Sequence, residues 1–568
     1  NVVDATIEKA LDQILKGTGF AYKIQGDHIM IVQEPKQEKG KSKKITGQVL
    51  DDQNMPLIGV NIVVKGKTGV GAITNIDGNF TLEVNQGDAI EVSYIGYAPQ
   101  TLKVTDNNIY NIQLSADAEL LEEVVVTALG IKRKSKALGY NLTEVKSDEI
   151  TTVKDANFVN SLTGKVAGLQ INSSSSGIGG STKVVMRGVK SISKSNNVLY
   201  VVDGVPLNNT NGGDVEKNQG FYTAAPKGEG IADFNPEDIE SMSVLTGPAA
   251  AALYGSNAAN GAILITTKKG AAGKPKITLS HNTDFSNPFV TPRFQNTYGN
   301  KPGEFSSWGD KLATPSSYDP LNFFRTGYNT TTALSISLGN EKNQTFASAS
   351  STTAEGIIPN NEYQRYNFTV RNTSNFFNDR MTLDLGFSYV IQKDQNMLSQ
   401  GQYFNPIVPL YLFPRGEDFT PYRMYERYDE GRQLMTQHWP YGEMGMAMQN
   451  PYWIINRNMF NNDRDRYMAN AGLKYKVFDW MDISGRVRID NANTRHTKKL
   501  YASTDAKFAQ NKGYYGDRKD VDKQLYADFL VNINKRFNDF DLTANVGASI
   551  QDVSMDYVGA EGQLSMIP

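Results

Sequence analysis

The chain has 568 residues and 62.7 kDa, and Lys+Arg 58 against Asp+Glu 60 gives a net charge of -2, which excludes gripping nucleic acid by bulk positive charge. Cys 0 excludes disulfides, zinc–thiolate sites and thiol catalysis, and it suits an exported protein. A mean hydropathy of -0.43 without a long apolar run leaves no transmembrane helix, but a membrane β-barrel stays open because its strands average out as mildly polar; Tyr 28, Phe 25 and Gly 50 suit one. Asn1 is not a start methionine and no charged-then-apolar leader follows, so the chain reads as already processed.

Residues 1–34 read as a small α+β unit. Ile7, Ala10, Leu11, Ile14 and Leu15 recur at helical spacing, with Asp4 as N-cap and Gly17 as stop. Phe20, Tyr22 and Ile24 alternate with polar residues, Gly26-Asp27 turns the chain, and Ile29 and Ile31 continue a second strand. One helix and one hairpin make too small a core, so the domain is expected to begin upstream of Asn1. Residues 35–43 form a polar, basic linker. Its Gly40-Lys41-Ser42 lacks the upstream glycine and strand of a phosphate loop.

Residues 44–115 carry about seven short strands between turn signals such as Asp77-Gly78 and Gly87-Asp88, which argues for a small Greek-key sandwich. Asn75-x-Asp77-Gly78 lacks further acidic ligands and reads as a hairpin turn, not a calcium loop. In the 116–134 linker, Glu122 and Glu123 precede Val124, Val125 and Val126, then Thr127, with Lys132, Arg133, Lys134 and Lys136 following. Two readings are about even: a last sandwich strand plus linker, or a free β-prone segment waiting for another protein's sheet edge.

Residues 135–270 mix short helices and strands. Asn197–Val205 runs as a strand into Asp203-Gly204, Pro248–Gly255 is a small-residue helix, and Ile263–Thr267 is a strand. Residues 271–568 carry the strongest pattern. Met381, Leu383, Leu385, Phe387, Tyr389 and Ile391 share one face; Thr382, Asp384, Gly386, Ser388, Val390 and Gln392 share the other. Residues 481–490, 525–534 and 542–550 repeat the alternation. Nine strands can be drawn, near 274–286, 331–339, 344–352, 363–374, 380–392, 463–478, 480–496, 520–537 and 540–553. Their connections alternate between short and long, as the periplasmic turns and external loops of an outer-membrane barrel do. An odd count leaves an unpaired edge in lipid, so further strands are expected beyond Pro568. Asp482, Arg486, Arg488 and Asp490 are expected to face the lumen, pairing with one another or lining a wet interior.

These motifs resemble one family. Ser161–Asn172, Arg187-Gly188, Leu199–Pro206 with Asp203-Gly204, and above all Ile239–Gly270 with Gly247, Pro248, Tyr254, Gly255, Asn260 and Gly261 are similar to the plug of SusC-like TonB-dependent outer-membrane transporters. Ile45–Leu114 is similar to the carboxypeptidase-regulatory-like module, residues 3–32 to the secretin/TonB short N-terminal domain, and Glu122–Thr127 to the TonB box. Asn450-Pro451-x-Trp453 also recurs in such barrels. The resemblance implies a mainly β protein: a transmembrane antiparallel barrel, 22-stranded in the family, plugged by an α+β domain and preceded by a β-sandwich and a small α+β domain, with the N-terminal domains in the periplasm. It implies active import of oligosaccharides, less readily peptides, across the outer membrane. A SusD-like lipoprotein lid would take part, and TonB, energised by ExbB and ExbD, would pull on Glu122–Thr127. Signalling through an inner-membrane anti-sigma factor is a further role of residues 1–34. The alternatives are a receptor for iron chelates or vitamins and, behind it, a surface adhesin.

Tyr403, Trp439, Tyr452 and Trp453 are candidates for substrate or lid contact; for any one of them packing or partner contact is favoured over a sugar ring. Met444, Met446 and Met448 at alternate positions suit an adaptable surface, and here too loop packing is commoner. No enzyme, cofactor or metal site is expected. His28, His281, His438 and His496 are scattered without H-E-x-x-H, and no G-x-S-x-G elbow occurs.

Overall fold

The computed structural model describes residues 15, 20–25, 28–33, 42–51, 54–67, 70–94, 97, 99–115, 124–126, 132–134, 142–152, 155–174, 176–192, 195–209, 228–399, 402–442, 449–537 and 540–565. Two compact units result, Asn1–Glu123 and Val124–Pro568. Asp4, Gly17, Gly40-Lys41 and the three loop methionines lie outside the described residues.

In the first unit, β1 (Phe20–Gln25) and β2 (His28–Gln33) form the expected hairpin, Ile24 opposite Ile29. Seven strands follow: β3 (Ser42–Leu50), β4 (Asn61–Val64), β5 (Gly71–Ile73), β6 (Asn79–Asn85), β7 (Ala89–Ser93), β8 (Gln100–Lys103) and β9 (Ile109–Gln113). They make two sheets, β6-β3-β9 and β5-β4-β7-β8. Alternation dictates the packing: Phe80, Leu82 and Val84 of β6 point inward onto Ile45, Ile62, Ile90 and Val92. Asn75 closes a turn, its Oδ1 accepting the N–H groups of Asp77 and Asn79 at 3.1 and 2.8 Å, and Gly78 follows at φ 73.

The second unit opens with β10 (Val124–Val126) paired antiparallel with β11 (Lys132–Lys134). β10 is in neither sandwich sheet, and it is not a lone strand.

The plug contains β12 (Leu142–Lys146), β13 (Leu169–Asn172), β14 (Lys183–Met186), β15 (Leu199–Val202), β16 (Val205–Pro206), β17 (Ile239–Leu245) and β18 (Ala262–Thr267). The main sheet runs β12-β17-β18-β15-β16, with β15 and β18 parallel. Its core gathers Tyr200, Val202, Ile239, Met242, Ile263 and Ile265. Helix α1 (Gly247–Tyr254) links β17 to β18 and lies close to the backbone. A Cβ on Gly247 would meet the Ala259 carbonyl at 2.6 Å, and Pro248 sits in the first turn, where no N–H is needed.

Nine strands then follow in one antiparallel sheet, each beside its predecessor in that order. They are β19 (Gly273–Ser286), β20 (Gly327–Gly339), β21 (Asn343–Glu355), β22 (Glu362–Phe376) and β23 (Met381–Gln395), then, after a loop holding β24 (Glu426–Asp429) and β25 (Leu434–Gln437), β26 (Asn458–Phe478), β27 (Met481–Leu500), β28 (Tyr514–Phe537) and β29 (Phe540–Gln563). The connections at one end are 340–342, 377–380, 479–480 and 538–539; at the other they include 287–326, 396–457 and 501–513. The sheet is inverted in polarity. Phe368, Val370, Leu385, Phe387, Ile489, Leu525 and Phe529 are exposed on the outer face, whereas Arg365, Asn367, Arg466, Arg488 and Asp490 are buried on the inner face. That arrangement suits a sheet with hydrocarbon outside and the plug inside. At the short-turn end Phe478 stacks on Trp480 (centroids 5.1 Å) and Lys535 Nζ lies 4.7 Å from the Trp480 ring centre, as expected where a strand leaves lipid for headgroups.

Candidate functional site: the plug against the strand wall

The tight turn between β15 and β16 places Asp203 and Gly204 at φ 50 and 82, a two-residue hairpin turn that Asp-Gly favours. Asp203 accepts the Thr267 N–H at 3.0 Å and the Thr267 hydroxyl at 2.7 Å, tying the turn to β18. The wall completes the set. Arg371 of β22 donates to Asp203 Oδ2 at 3.0 Å while holding both oxygens of Asp384 at 2.9 and 2.8 Å, and Lys269 reaches Asp384 at 2.8 Å. Arg486 donates to the Asp203 carbonyl at 2.6 Å and pairs with Asp528; Arg488 donates to the Val202 carbonyl at 3.2 Å. Asp490 pairs with Arg466, and Asp482 with Lys474. The four lumen-facing charges of β27 thus meet neighbouring strands and the plug rather than one another.

A second anchor is the segment 228–238. Arg466 donates to the Gly230 carbonyl at 2.6 Å and to Asp233 at 2.7 Å, and grips Asp490 through two nitrogens at 2.8 and 2.7 Å. Arg464 approaches Asp233 at 3.2 Å. Arg365 donates to the carbonyls of Ala156, at 3.0 Å, and Ala232, and Asn367 donates to the Asp233 carbonyl at 2.5 Å. A third tie is Gln524 of β28, which donates to the Pro206 carbonyl at 2.8 Å and accepts the Asn208 N–H at 3.0 Å.

Four arginines of the wall, Arg365, Arg466, Arg486 and Arg488, thus donate to backbone carbonyls of the plug. Such pairs cost desolvation on burial and return it only through geometry, so they specify one seat for the plug more than they add adhesion. Beside them is a cavity of about 50 Å³ lined among others by Asp203, Asn367, Arg371, Ser388 and Arg488, roomy and polar enough for water.

Two plug carboxyls are displaced from ordinary titration. Burial pushes Asp238 up to about 6, although its carboxylate accepts the Asn235 side-chain amide at 3.2 Å. Burial also raises Glu229, which accepts from the Thr182 N–H at 2.7 Å and the side-chain amides of Asn157 (2.5 Å) and Asn209 (3.1 Å).

The other sequence candidates serve local geometry. Arg187 and Gly188 sit at φ 56 and 86, with the Arg187 N–H on the Gly168 carbonyl. Asn260 donates to the Ser195 carbonyl at 2.9 Å. Gly261, at φ 104, lies where a Cβ would come within 2.6 Å of the Met186 sulfur; Tyr254 packs on the core beneath α1, and Gly255 ends the helix at φ 72. Tyr403, Trp439 and Trp453 are buried in the loop interior. Tyr403 packs edge-on against Phe508, Trp439 lies tilted against Phe413, and Trp453 donates to Thr504 at 3.1 Å. Tyr452 is half-buried against Phe323 and lines a cavity of about 80 Å³. Glu122, Glu123 and Thr127 lie outside the described residues. Sequence reasoning did not single out Arg365, Arg464, Arg466, Glu229 or Asp233; the first three carry a readable signal, since each falls on an inward position of its strand.

Comparison with known proteins fits this geometry. Residues 134–262 match the TonB-dependent Receptor Plug Domain, residues 45–126 the CarboxypepD_reg-like domain, and residues 1–34 the Secretin and TonB N terminus short domain. The chain is 29% identical over 519 residues to TonB-dependent receptor SusC of Bacteroides thetaiotaomicron, covering 88% of this chain and 49% of SusC. It is 29% identical over 480 residues to TonB-dependent receptor P3 of Formosa agariphila, covering 80% and 43%. The chain thus spans about half the length of these curated relatives. The RagAB peptide importer in its open-open state shares the fold at a TM-score of 0.59, with 20% identity over 77% of this chain and 50% of that one. The three domain matches in this order, together with the similarity to SusC, support a SusC-like TonB-dependent receptor.

Proposed function

We propose that the chain supplies the plug and part of the wall of an active outer-membrane importer of oligosaccharides, or less readily peptides. The observation that carries this reading is the inverted sheet with a folded domain seated on its charged inner face: apolar outside, stoppered inside. Hydrogen-bonded polar seams release more readily than apolar cores once water can replace each partner. Substrate bound on the outer side, under a SusD-like lipoprotein lid, would bias the plug. TonB, driven through ExbB and ExbD, would then pull on Glu122–Thr127 and loosen the seats at 202–208 and 228–238. Residues 1–34 add a signalling role through an anti-sigma factor, and the N-terminal domains would stand in the periplasm. Similarity to SusC supports a glycan cargo over iron chelates or vitamins; the fold shared with RagAB keeps peptides in play.

The test is uptake of a labelled glycan and peptide panel by cells carrying the native protein with its lid, with and without TonB. Val125→Pro removes a backbone donor from the pulled segment and is expected to abolish uptake while surface level and binding persist. Uptake that survives both the loss of TonB and this substitution would end the reading. Deleting residues 1–34 is expected to abolish substrate-induced expression and spare uptake; unchanged induction would remove the signalling role.

A further inference from the structure

Four side chains on the inner face of the wall, at its long-loop end, form an unbroken row across neighbouring strands. Asp394 of β23, Asn462 of β26 and His496 of β27 lie directly opposite one another in register, and Asp520 of β28 flanks His496. The Asn462 side-chain nitrogen donates to Asp394 Oδ1 at 2.6 Å, and its carbonyl oxygen faces His496 Nδ1 at 2.5 Å. Across the ring, Nε2 lies 3.2 Å from Asp520 Oδ2. Arg518 donates to both oxygens of that carboxylate, at 2.6 and 3.3 Å, which keeps Asp520 an acceptor. A neutral imidazole has one N–H and one bare nitrogen. Here each nitrogen faces an oxygen that accepts, so the imidazolium alone completes the row. We propose that His496 is a proton-operated clasp: protonated, it ties β26 to β28 at the outer mouth; neutral, it sets a bare nitrogen against an acceptor oxygen and the row parts there.

Histidine is the side chain whose charge ordinarily changes between pH 5 and pH 8, so external pH can operate the clasp. The side chains of His496 and Asp520 keep 21% and 15% of their surface exposed, which gives protons access. The charged groups of the inner face in this register row and the two beside it are Asp394 of β23, Arg464 of β26, Arg518 and Asp520 of β28, Lys498 of β27 itself and Glu561 of β29. The contacts continue past Asp394 to the plug. Gln392 donates to Asp394 Oδ2 at 3.5 Å and accepts the Tyr363 hydroxyl at 3.2 Å, and a Cβ on Gly179 of the plug would strike the Tyr363 ring at 2.7 Å. Just beyond β23, the Leu398 N–H donates to the Ser176 carbonyl at 2.9 Å. A closed clasp therefore steadies the wall where plug residues 176–180 are seated, through side chains that touch in sequence. The consequence for cargo, a plug released less readily at low external pH, deepens the import reading and rests on it; the clasp itself does not.

The test uses the full chain in detergent with its histidine rings labelled with nitrogen-15. The sequence has four, His28, His281, His438 and His496, so His496→Gln identifies one signal by its loss. Both ring nitrogens of His496 are expected to carry protons at pH 5, and one of them at pH 8. Amide protection at 176–180 and at the long-loop ends of β26, β27 and β28, with intrinsic exchange divided out, is expected to fall at least about threefold over the same range, as for the loss of one hydrogen bond. His496→Gln, whose amide offers the same donor at every pH, should flatten that fall. Asp520→Asn should shrink it, and Asp394→Asn, which keeps an acceptor for Asn462, should leave it in place. Protection unchanged between pH 5 and pH 8 in the native chain would overturn the inference. So would a fall that survives His496→Gln, or one that Asp394→Asn alone removes, since the proton would then sit on another group. None of these readouts involves cargo, so failure of the clasp leaves the import reading standing, and failure of uptake leaves the clasp.

Discussion

Asp203 and Arg371, 168 positions apart in the chain, meet at 3.0 Å across the seam between plug and wall. Arg371 also holds Asp384 through two nitrogens, and Asp203 also holds Thr267 through two oxygens, so the pair joins a finished ion pair of the wall to a finished turn of the plug. Arg371→Met leaves Asp203 without its cation and Asp384 with Lys269 alone, and is expected to loosen this seat by about 3 kcal/mol, the lower end for a broken buried pair because Asp203 is partly exposed. Asp203→Asn keeps an acceptor for Thr267 and is expected to cost about 1 kcal/mol. Amide exchange at 262–267, and entry of a bulky antibiotic normally kept out, would rank the variants in that order; equal behaviour of both with the native chain would show that the seat is held elsewhere.

Gly261 tests the other source of precision in the plug, its backbone. Its φ of 104 is closed to side chains, and a Cβ would strike Met186 at 2.6 Å and approach the Leu245 carbonyl at 3.1 Å. Gly261→Ala is expected to cost about 2 kcal/mol from the dihedral and the clash together. Exchange should rise in β14, β17 and β18. Adding Met186→Ala should relieve the clash but not the dihedral, recovering only part of the loss.

What could be read in advance follows from where a signal is local. The nine wall strands were legible because apolar and polar residues alternate along each one, but several were drawn short. The strand expected at 480–496 runs to Leu500, and those expected at 520–537 and 540–553 extend to Tyr514 and Gln563. Beyond Ile489 the outward residues become Asn491, Asn493, Arg495 and Lys499; the apolar period stops where the strand leaves hydrocarbon, while the main-chain ladder continues. The Asp203-Gly204 turn was legible too, but not its role as a pivot, since Arg371 and Arg486 reach it from positions 168 and 283 residues away. The pairing of Val124–Val126 with Lys132–Lys134 was hidden because Lys-Arg-Lys has no strand-forming signal of its own.

The outer face makes a sharp prediction because it contradicts the rules of a soluble sheet. Phe387 and Phe529 point outward, half exposed, on strands whose opposite faces are buried against the plug. Phe387→Arg or Phe529→Arg is expected to cost about 2–4 kcal/mol of stability in lipid vesicles, as a cation near the bilayer midplane does in barrels. In a water-soluble sheet the same changes would be nearly neutral. Unfolding titrations in vesicles of phosphatidylcholine decide between the two.

Trp453 separates packing from recognition in the long loop. Its side chain is fully buried at the start of helix α2 (Pro451–Arg457), which Asn450 caps by accepting the Tyr452 N–H at 2.8 Å. Trp453→Ala is expected to cost about 3–5 kcal/mol and to disorder the loop. Trp453→Phe fills most of the space and loses one hydrogen bond; Thr504 keeps its bond to Asn458 at 2.6 Å, so the cost is about 1 kcal/mol. Cargo affinity should be unchanged in Trp453→Phe, and a tenfold loss without a change in loop protease resistance would assign this ring to substrate instead.

Asp238 gives the plug a pH dependence with a defined sign. Burial raises its folded-state pKa to about 6 from the ordinary 3.8, so the folded plug binds this proton more tightly than the unfolded chain. Its contribution is most favourable below pH 3.8, falls as pH rises from there to about 6, and is flat above; Glu229, also raised by burial, acts in the same direction. The whole effect of Asp238 is at most about 3 kcal/mol. Asp88 of the sandwich works oppositely. Burial is outweighed there by Lys67 at 2.8 Å and the Asn85 N–H, which hold its carboxyl low, so its contribution is present above the ordinary carboxyl range and is lost on acidification. Amide protection factors in β17 and β18, with the intrinsic pH dependence of exchange divided out, should therefore fall between pH 4 and pH 6 and level off beyond. Asp238→Asn, which keeps acceptor and shape without the charge, should flatten that fall; a slope unchanged in the variant would place the proton on another group.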